Sequence, residues 1–199
     1  MSADFKKVCE TIYVFPGIQF DSYTYLIKED KTFLVDPGTG KFFQELKKAL
    51  EKINCQVSQL DAVVNTHCHF DHAGADHFFD CPIYAREPDL SHMRAGDEFT
   101  LASMFGAEFV PVEAKPIPDD FKGWRVLSSP GHTQGSIALY KETQGKKVLI
   151  SGDTLFPAGV GRTDLPGGDQ SQLEQSLKLL KSLDADFLLS GHGCSGDFL

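Results

Sequence analysis

Three of the seven histidines in this 199-residue chain fall within six residues, in the run His67-Cys68-His69-Phe70-Asp71-His72. The run follows an apolar segment, Ala62-Val63-Val64-Asn65, that reads as a strand. In extended backbone, alternate side chains share a face. His67, His69 and Asp71 are therefore expected to converge while Cys68 and Phe70 turn into packing. His72 opens the next turn and reaches a neighbouring point, so one short run feeds two adjacent metal positions. A polar loop with chance histidines does not account for this spacing.

Other apolar runs stop at a glycine beside a ligand-type residue. His132 lies in Ser129-Pro130-Gly131-His132-Thr133-Gln134-Gly135, Asp153 in Val148-Leu149-Ile150-Ser151-Gly152-Asp153, and His192 in Leu188-Leu189-Ser190-Gly191-His192-Gly193. Glycine at such a point permits a sharp turn and a close backbone approach. Strand ends are where α/β proteins place reactive groups. A chain built this way has to bring several strand ends to one rim.

Strand-like runs at 11–15, 22–28, 31–36, 62–65, 125–128, 136–140, 147–151 and 187–190 alternate with helical patterns, which predicts one α/β domain over residues 1–199. Glu29-Asp30 reads as a tight turn between the second and third runs. A helix over 41–53 carries Phe42, Leu46, Ala49, Leu50 and Ile53 on one face. A second helix is expected from Ser171, where Ser171-Gln172-Leu173-Glu174 fits a capping box and Leu173, Leu177, Leu180 and Leu183 follow on one side. Residues 86–122, with Pro88, Pro111, Pro116 and Pro118, read as loops and one short helix.

Composition narrows the function. The formal net charge is -9, and basic residues cluster no further than pairs such as Lys47-Lys48. A nucleic-acid partner is thus not expected. No apolar run approaches the ~18 residues of a membrane helix, and Met1 to Lys7 lacks the apolar core of a signal peptide. The five cysteines, Cys9, Cys55, Cys68, Cys81 and Cys194, are odd in number, scattered, and form no CxxC. That argues against a disulfide framework and for a reducing, cytoplasmic setting. Nothing in the sequence sets the oligomeric state.

Taken together, His67-x-His69-x-Asp71-His72, Pro130-Gly131-His132-Thr133, Gly152-Asp153 and Gly191-His192 resemble the metallo-β-lactamase-fold hydrolases, from the strand at Tyr25-Leu26-Ile27 to Gly193. Within that superfamily the chain is most similar to the small glyoxalase II-like (hydroxyacylglutathione hydrolase-like) enzymes. The added cues are Thr66 to Gly74, Gly152-Asp153-Thr154-Leu155-Phe156, Gly159-Val160-Gly161-Arg162-Thr163-Asp164 and Gly167-Gly168-Asp169. The resemblance implies a four-layer αββα sandwich with metals at one edge. It implies that His67, His69 and His132 hold one divalent cation, that Asp71, His72 and His192 hold a second, and that Asp153 bridges them. A histidine and carboxylate set without thiolate suits zinc, and also iron or manganese. Two dications against two carboxylates leave about two positive charges, so an acidic protein can still take an anionic substrate.

The activity implied is hydrolysis of a thioester, of the acyl-glutathione type, by a metal-bound hydroxide that Asp71 helps to orient. A thiol leaving group, with a pKa near ~8.5, departs without a strong general acid. Arg162, Tyr25 and Phe156 are expected around a small-molecule substrate. The competing roles are an ion pair with Asp164 for Arg162 and core packing for the two aromatics. Thr66 and Thr133 flank ligands and either orient them or are ordinary turn hydroxyls. His77 and His92 read as surface histidines.

Two departures matter. Longer glyoxalase II enzymes carry a C-terminal helical domain that supplies glutathione contacts. This chain ends at Leu199, soon after His192, so such contacts are expected to be missing or different. The alternative reading is a persulfide dioxygenase with a single iron, which shares Gly161-Arg162-Thr163-Asp164. The final Ser190-Gly191-His192-Gly193 does not match the Pro-Ala-His-Asp-Tyr usual there. A β-lactamase with a cysteine ligand is disfavoured by Asp153, and a flavodiiron-type reductase by His69.

Overall fold

Strand residues alternate between two apolar environments, and the alternation sets the layers. A computed structural model of the chain describes residues 4–196. Its first sheet holds seven strands in chain order: β1 (Lys6–Lys7), β2 (Ile12–Phe15), β3 (Thr24–Lys28), β4 (Thr32–Val35), β5 (Ala62–Val64), β6 (Ile83–Ala85) and β7 (Lys115–Pro116). The first four run antiparallel and β4 through β7 run parallel. Parallel neighbours need crossovers. Helix α1 (Phe43–Lys52) lies between β4 and β5, the short α2 (Phe70–Ala73) between β5 and β6, and α3 (Asp89–Ala95) between β6 and β7.

The second sheet contains β8 (Asp120–Phe121), β9 (Trp124–Ser128), β10 (Ile137–Thr143) and β11 (Lys146–Gly152). A small hairpin, β12 (Leu155–Phe156) and β13 (Gly159–Val160), and helix α4 (Gln170–Ser182) precede β14 (Phe187–Ser190) and β15 (Gly193–Ser195). The order is β15-β14-β11-β10-β9-β8, with only the β11–β14 pair parallel.

Tyr25, Ile27, Phe33, Val35, Ala62 and Val64 point inward, against Trp124, Val126, Ile137, Leu139, Val148, Ile150 and Leu189 of the second sheet. Their alternates Leu26, Leu34 and Val63 face outward onto Leu46, Ala49 and Leu50 of α1 and Leu90 and Met93 of α3. On the far side Ala138, Tyr140 and Leu149 meet Leu180, with Leu177 and Leu183 beside it. The result is the expected αββα sandwich. Leu50 is fully buried; truncating such a leucine to alanine costs about 2–5 kcal/mol.

The long strands lie within about two residues of their predicted positions. Two expectations fail, each for a local reason. Helix α4 begins at Gln170, capped by Asp169, whose carboxylate accepts from the Gln172 amide at 2.9 Å and from the Ser171 hydroxyl at 2.7 Å. A carboxylate at a helix N-terminus gains from the macrodipole, so Asp169 takes the cap in place of Ser171. The His67 run is extended only to His69, after which Phe70–Ala73 turn helical. Asp71 therefore arrives by a helical turn, not by strand alternation. In the poorly legible 86–122 region the short helix is α3, followed by 3-10 turns at Glu98–Thr100 and Ala102–Phe105. All five cysteines are free. Among the described residues no helix is long and apolar enough to cross a membrane.

Candidate metal centre

Strands β5, β9, β11 and β14 end at one rim, and each end is followed within four residues by an expected ligand: His67, His132, Asp153 and His192. Backbone bonds tie the loops together. The Ser22 amide donates to the Asp71 carbonyl at 3.0 Å, the Gly38 amide to the His72 carbonyl at 3.0 Å, and the Gly191 amide to the Gly152 carbonyl at 2.8 Å. Gly191 is required by space, because a Cβ there would collide with Asp153 Oδ1 and lie 2.6 Å from His72 Cε1.

Three overlapping groups of ligand atoms lie within 4.8 Å of one another: His67 with His69 and His132, His67 with His72 and Asp153, and Asp71 with His72 and His192. In the first group, His69 Nδ1 is 3.1 Å from His67 Nε2 and 3.0 Å from His132 Nε2. A tetrahedral site with bonds of about 2.05 Å has edges of about 3.3 Å. Asp153 lies between the groups, with Oδ1 3.3 Å from His72 Nε2 and Oδ2 3.7 Å from His132 Nε2 and 3.6 Å from His192 Nε2. His192 Nε2 is also 3.2 Å from Asp71 Oδ2.

The far ring nitrogens show which atoms are left free. The Thr66 hydroxyl donates to Asp36 Oδ2 at 2.7 Å, so His67 Nδ1–H donates to Thr66 Oγ1 at 3.1 Å. His72 Nδ1–H donates to Asp36 Oδ2 at 2.9 Å, and His132 Nδ1–H to the Arg162 carbonyl at 2.8 Å. Each of these bonds turns Nε2 toward the cluster as the atom able to ligate. Buried His72 Nε2 and Asp153 Oδ1 have no hydrogen-bond partner. Unpartnered buried polar atoms are rare, and divalent metal is what this donor set fits.

Electrostatics agree. Burial and the neighbouring imidazoles push the His67 pKa well below its usual value, and burial pushes His69 down to about 3. Both rings are therefore neutral and able to ligate. Burial opposes the charge of Asp71 and Asp153, but His72 and His192 outweigh it and keep both carboxyls below the usual range. Burial also opposes charge on His72, yet Asp153, Asp36 and Asp71 outweigh it and hold its pKa well above normal. A cation at His72 Nε2 would take the place of the proton that these carboxylates favour.

Two buried carboxylates escaped sequence reasoning. Asp36 accepts from the Thr66 amide, the Thr66 hydroxyl and His72. It follows β4 as Asp153 follows β11, so the strand-end pattern contained its signal. With Asp36 included, two dications, if bound, would face three carboxylates, which would leave about one positive charge rather than two. Asp89 is also fully buried. Its Oδ2 accepts from the Cys68 amide at 2.9 Å and the Thr133 hydroxyl at 2.7 Å, and its Oδ1 from the Gly135 amide at 2.7 Å. It joins the loop between His67 and His69 to the loop after His132. No sequence signal marked it.

The residues expected around the substrate separate. Tyr25 is fully buried, its hydroxyl donating to the Ser190 carbonyl at 2.6 Å. It fastens β14 to β3 and does not line the mouth. Phe156 is partly exposed, 6.4 Å from the His192 ring. Arg162 is exposed and bidentate to Asp164 at 2.7 Å, while its carbonyl holds His132. His77 is exposed; His92 is half-buried, paired with Asp97 and stacked on Phe99.

The family model of the metallo-beta-lactamase superfamily matches residues 17–192. The chain belongs to this superfamily. As a superfamily member it is a metal-dependent hydrolase in fold and site. It is 40% identical to a probable metallo-hydrolase of Methanocaldococcus jannaschii, over 91% of this chain and 92% of the relative. It is 31% identical to a hydroxyacylglutathione hydrolase of Haemophilus influenzae, over 92% of this chain and 90% of that one. Among solved structures, TTHA1623 in a di-iron-bound form superposes with a TM-score of 0.77 at 31% identity, covering 92% of this chain and 94% of that protein.

Proposed function

We propose that the protein is a binuclear hydrolase of thioesters, of the glyoxalase II-like, acyl-glutathione type. The observation that carries this reading is the pair of ligand triads joined by Asp153. His67, His69 and His132 would hold one divalent cation, and Asp71, His72 and His192 the second. Zinc suits the donors, as do iron and manganese. When bound, the cations supply a Lewis acid and a nucleophile from water at neutral pH.

The chain's own residues do the rest. Asp71, below the usual carboxylate range, keeps an acceptor oxygen at the centre for a proton of the attacking water. His72 and His132 are held in fixed tautomers by Asp36 and the Arg162 carbonyl. A thiol leaving group needs no strong acid, and no Lys or Tyr aimed at the cluster is required. The hydroxyacylglutathione hydrolase of Haemophilus influenzae supports the thioester class. The second triad counts against a persulfide dioxygenase, which uses one iron.

The test is steady-state kinetics with metal-loaded protein on S-lactoylglutathione and other acyl-thioesters. Thioester turnover that His67→Ala or Asp153→Ala abolishes, with metal content lowered in each variant, is the expected result. No thioester turnover above buffer, with oxygen uptake on glutathione persulfide and one iron per chain, would replace this reading with the dioxygenase.

A further inference from the structure

Beside the metal cluster lies a cavity of about 850 Å³ walled by Phe20, Phe42, Phe70, Met104, Phe105 and Ala107. That volume is within the range of small-molecule sites. Three of its rings form a file. Phe20 lies 6.5 Å from Phe105, edge-on, and Phe105 lies 5.6 Å from Phe70. Their exposure falls from 74% at Phe20 to 39% at Phe105 and 9% at Phe70. The file thus descends from the surface to the residue before Asp71. On the other wall stands Arg162, whose carbonyl holds His132. Asp21, whose neighbour Ser22 bonds the Asp71 carbonyl, also lines the cavity, so it reaches the segments that hold Asp71 and His132 without being lined by a ligand itself.

Met104 is 64% exposed, which with Phe20 makes an apolar patch that water disfavours. Such patches in a soluble fold mark binding surfaces. The loop geometry presents them outward. Gln19, before Phe20, has φ 61°, and Leu101 and Gly106, which bracket the Met104-Phe105 turn, have φ 59° and 66°. The cations at the rim are already engaged: Arg162 with Asp164, and Lys41 with the Gln19 side chain at 3.1 Å.

From these walls we infer that the cavity is the acyl subsite, and that the preferred substrate carries an apolar acyl group rather than a short hydroxyacyl group. The inference rests on the thioester reading. Thiol carriers of acyl groups are polar, and the phenylalanine and methionine wall gives them little to bond, because the polar groups that also line the cavity are bonded to one another or to Asp164: Thr39 to Asp21 at 2.6 Å, Lys41 to Gln19 and Arg162 to Asp164. The acyl chain is the part of a thioester that gains from such a wall. A lactoyl hydroxyl placed against that apolar wall gains nothing from it and loses its water.

Hydrolysis of N-acetylcysteamine thioesters by the metal-loaded protein measures the preference. The kcat/KM rises at least tenfold from acetyl to hexanoyl, below the limit of about fourfold for each buried methylene. Phe105→Ala and Met104→Ala, both at exposed positions and checked for an unchanged melting temperature, cut the hexanoyl-to-acetyl ratio at least fivefold. A flat series, a lactoyl thioester preferred to hexanoyl, or a ratio unaltered in both variants overturns the assignment.

A second arm needs no turnover. Calorimetric titration gives octanoate at least tenfold tighter than acetate, and the difference shrinks in Met104→Ala. If no thioester is cleaved but this difference holds, the cavity stands and the thioester reading falls. Equal binding of the two acids overturns the cavity.

Discussion

Asp89→Asn is the substitution whose effect follows most directly from the hydrogen bonds around the metal loops. The carboxylate receives three donors, from Cys68, Thr133 and Gly135, at 2.7–2.9 Å. It has no room to move, since a Cβ on Gly135 would lie 2.5 Å from Asp89 Oδ1. An asparagine keeps one acceptor oxygen, and its amide faces a donor whichever way it turns. If oxygen stays toward Cys68 and Thr133, the Gly135 amide is left facing another donor. One buried donor without a partner costs about 1–3 kcal/mol, and weakening the two remaining charged bonds adds roughly 1 kcal/mol. The sum, about 2–4 kcal/mol, corresponds to a fall in melting temperature of about 4–16 °C for a chain of this size. Because the residue joins the His67–His69 loop to the one after His132, metal affinity falls as well, by at least tenfold in a chelator competition. Thermal unfolding of the metal-free protein reads the first effect and the competition reads the second. A melting point within about 1 °C of wild type, or unchanged affinity, would refute the positioning role.

Other outcomes follow from the same geometry. Gly191→Ala places a methyl against Asp153 and His72 and lowers metal affinity at least tenfold, measured by chelator competition, whereas Gly159→Ala, with nothing within 4 Å, leaves it unaltered. Stripping metals with a chelator lowers the melting temperature by at least about 5 °C, since a site at a hundredfold excess over Kd contributes about 2.7 kcal/mol; equal melting with and without metal would count against bound cations. In the metal-free protein, stability falls as pH drops below about 6.5, because the unfolded chain protonates His67 and His69 while the folded one does not until far lower, about 3 for His69. His72, with a raised pKa, adds stability that is present below about 6.5 and lost as pH rises through its folded value. Burial holds the Asp76 carboxyl well above its usual range, so unfolding releases its proton and offsets one of the two taken up by His67 and His69. Chemical denaturation at pH 4.5 to 8 should therefore show a maximum near 6.5, with unfolding taking up about one proton net below it; a stability that climbs steadily toward low pH contradicts this.

The layers and the ligand set were legible because both are periodic or punctuated features. Leu26 between Tyr25 and Ile27, and Leu34 between Phe33 and Val35, spell out two-sided burial residue by residue. Glycines before His132, Asp153 and His192 mark where strands stop. Asp71 reaches the cluster by a helical turn instead of strand alternation, because a single turn at Phe70–Ala73 has no pattern long enough to read. Of the two roles open to Tyr25 the fold uses core packing, and its hydroxyl finds a carbonyl 165 residues away in sequence, at Ser190, a partner that no local pattern encodes. The same holds for Asp89, whose three partners come from two loops far from it in sequence. The wall of Phe20, Met104 and Phe105 depends on turns with positive φ at Gln19 and Leu101, residues that sequence does not single out for that conformation.

Metal content per chain, measured by elemental analysis on the purified protein and on His67→Ala and His192→Ala, tests the paired-cation centre most directly. Two cations per wild-type chain, falling to one or fewer in each variant, is the expected result. A wild-type chain that binds none after loading, or variants that keep both, would contradict it.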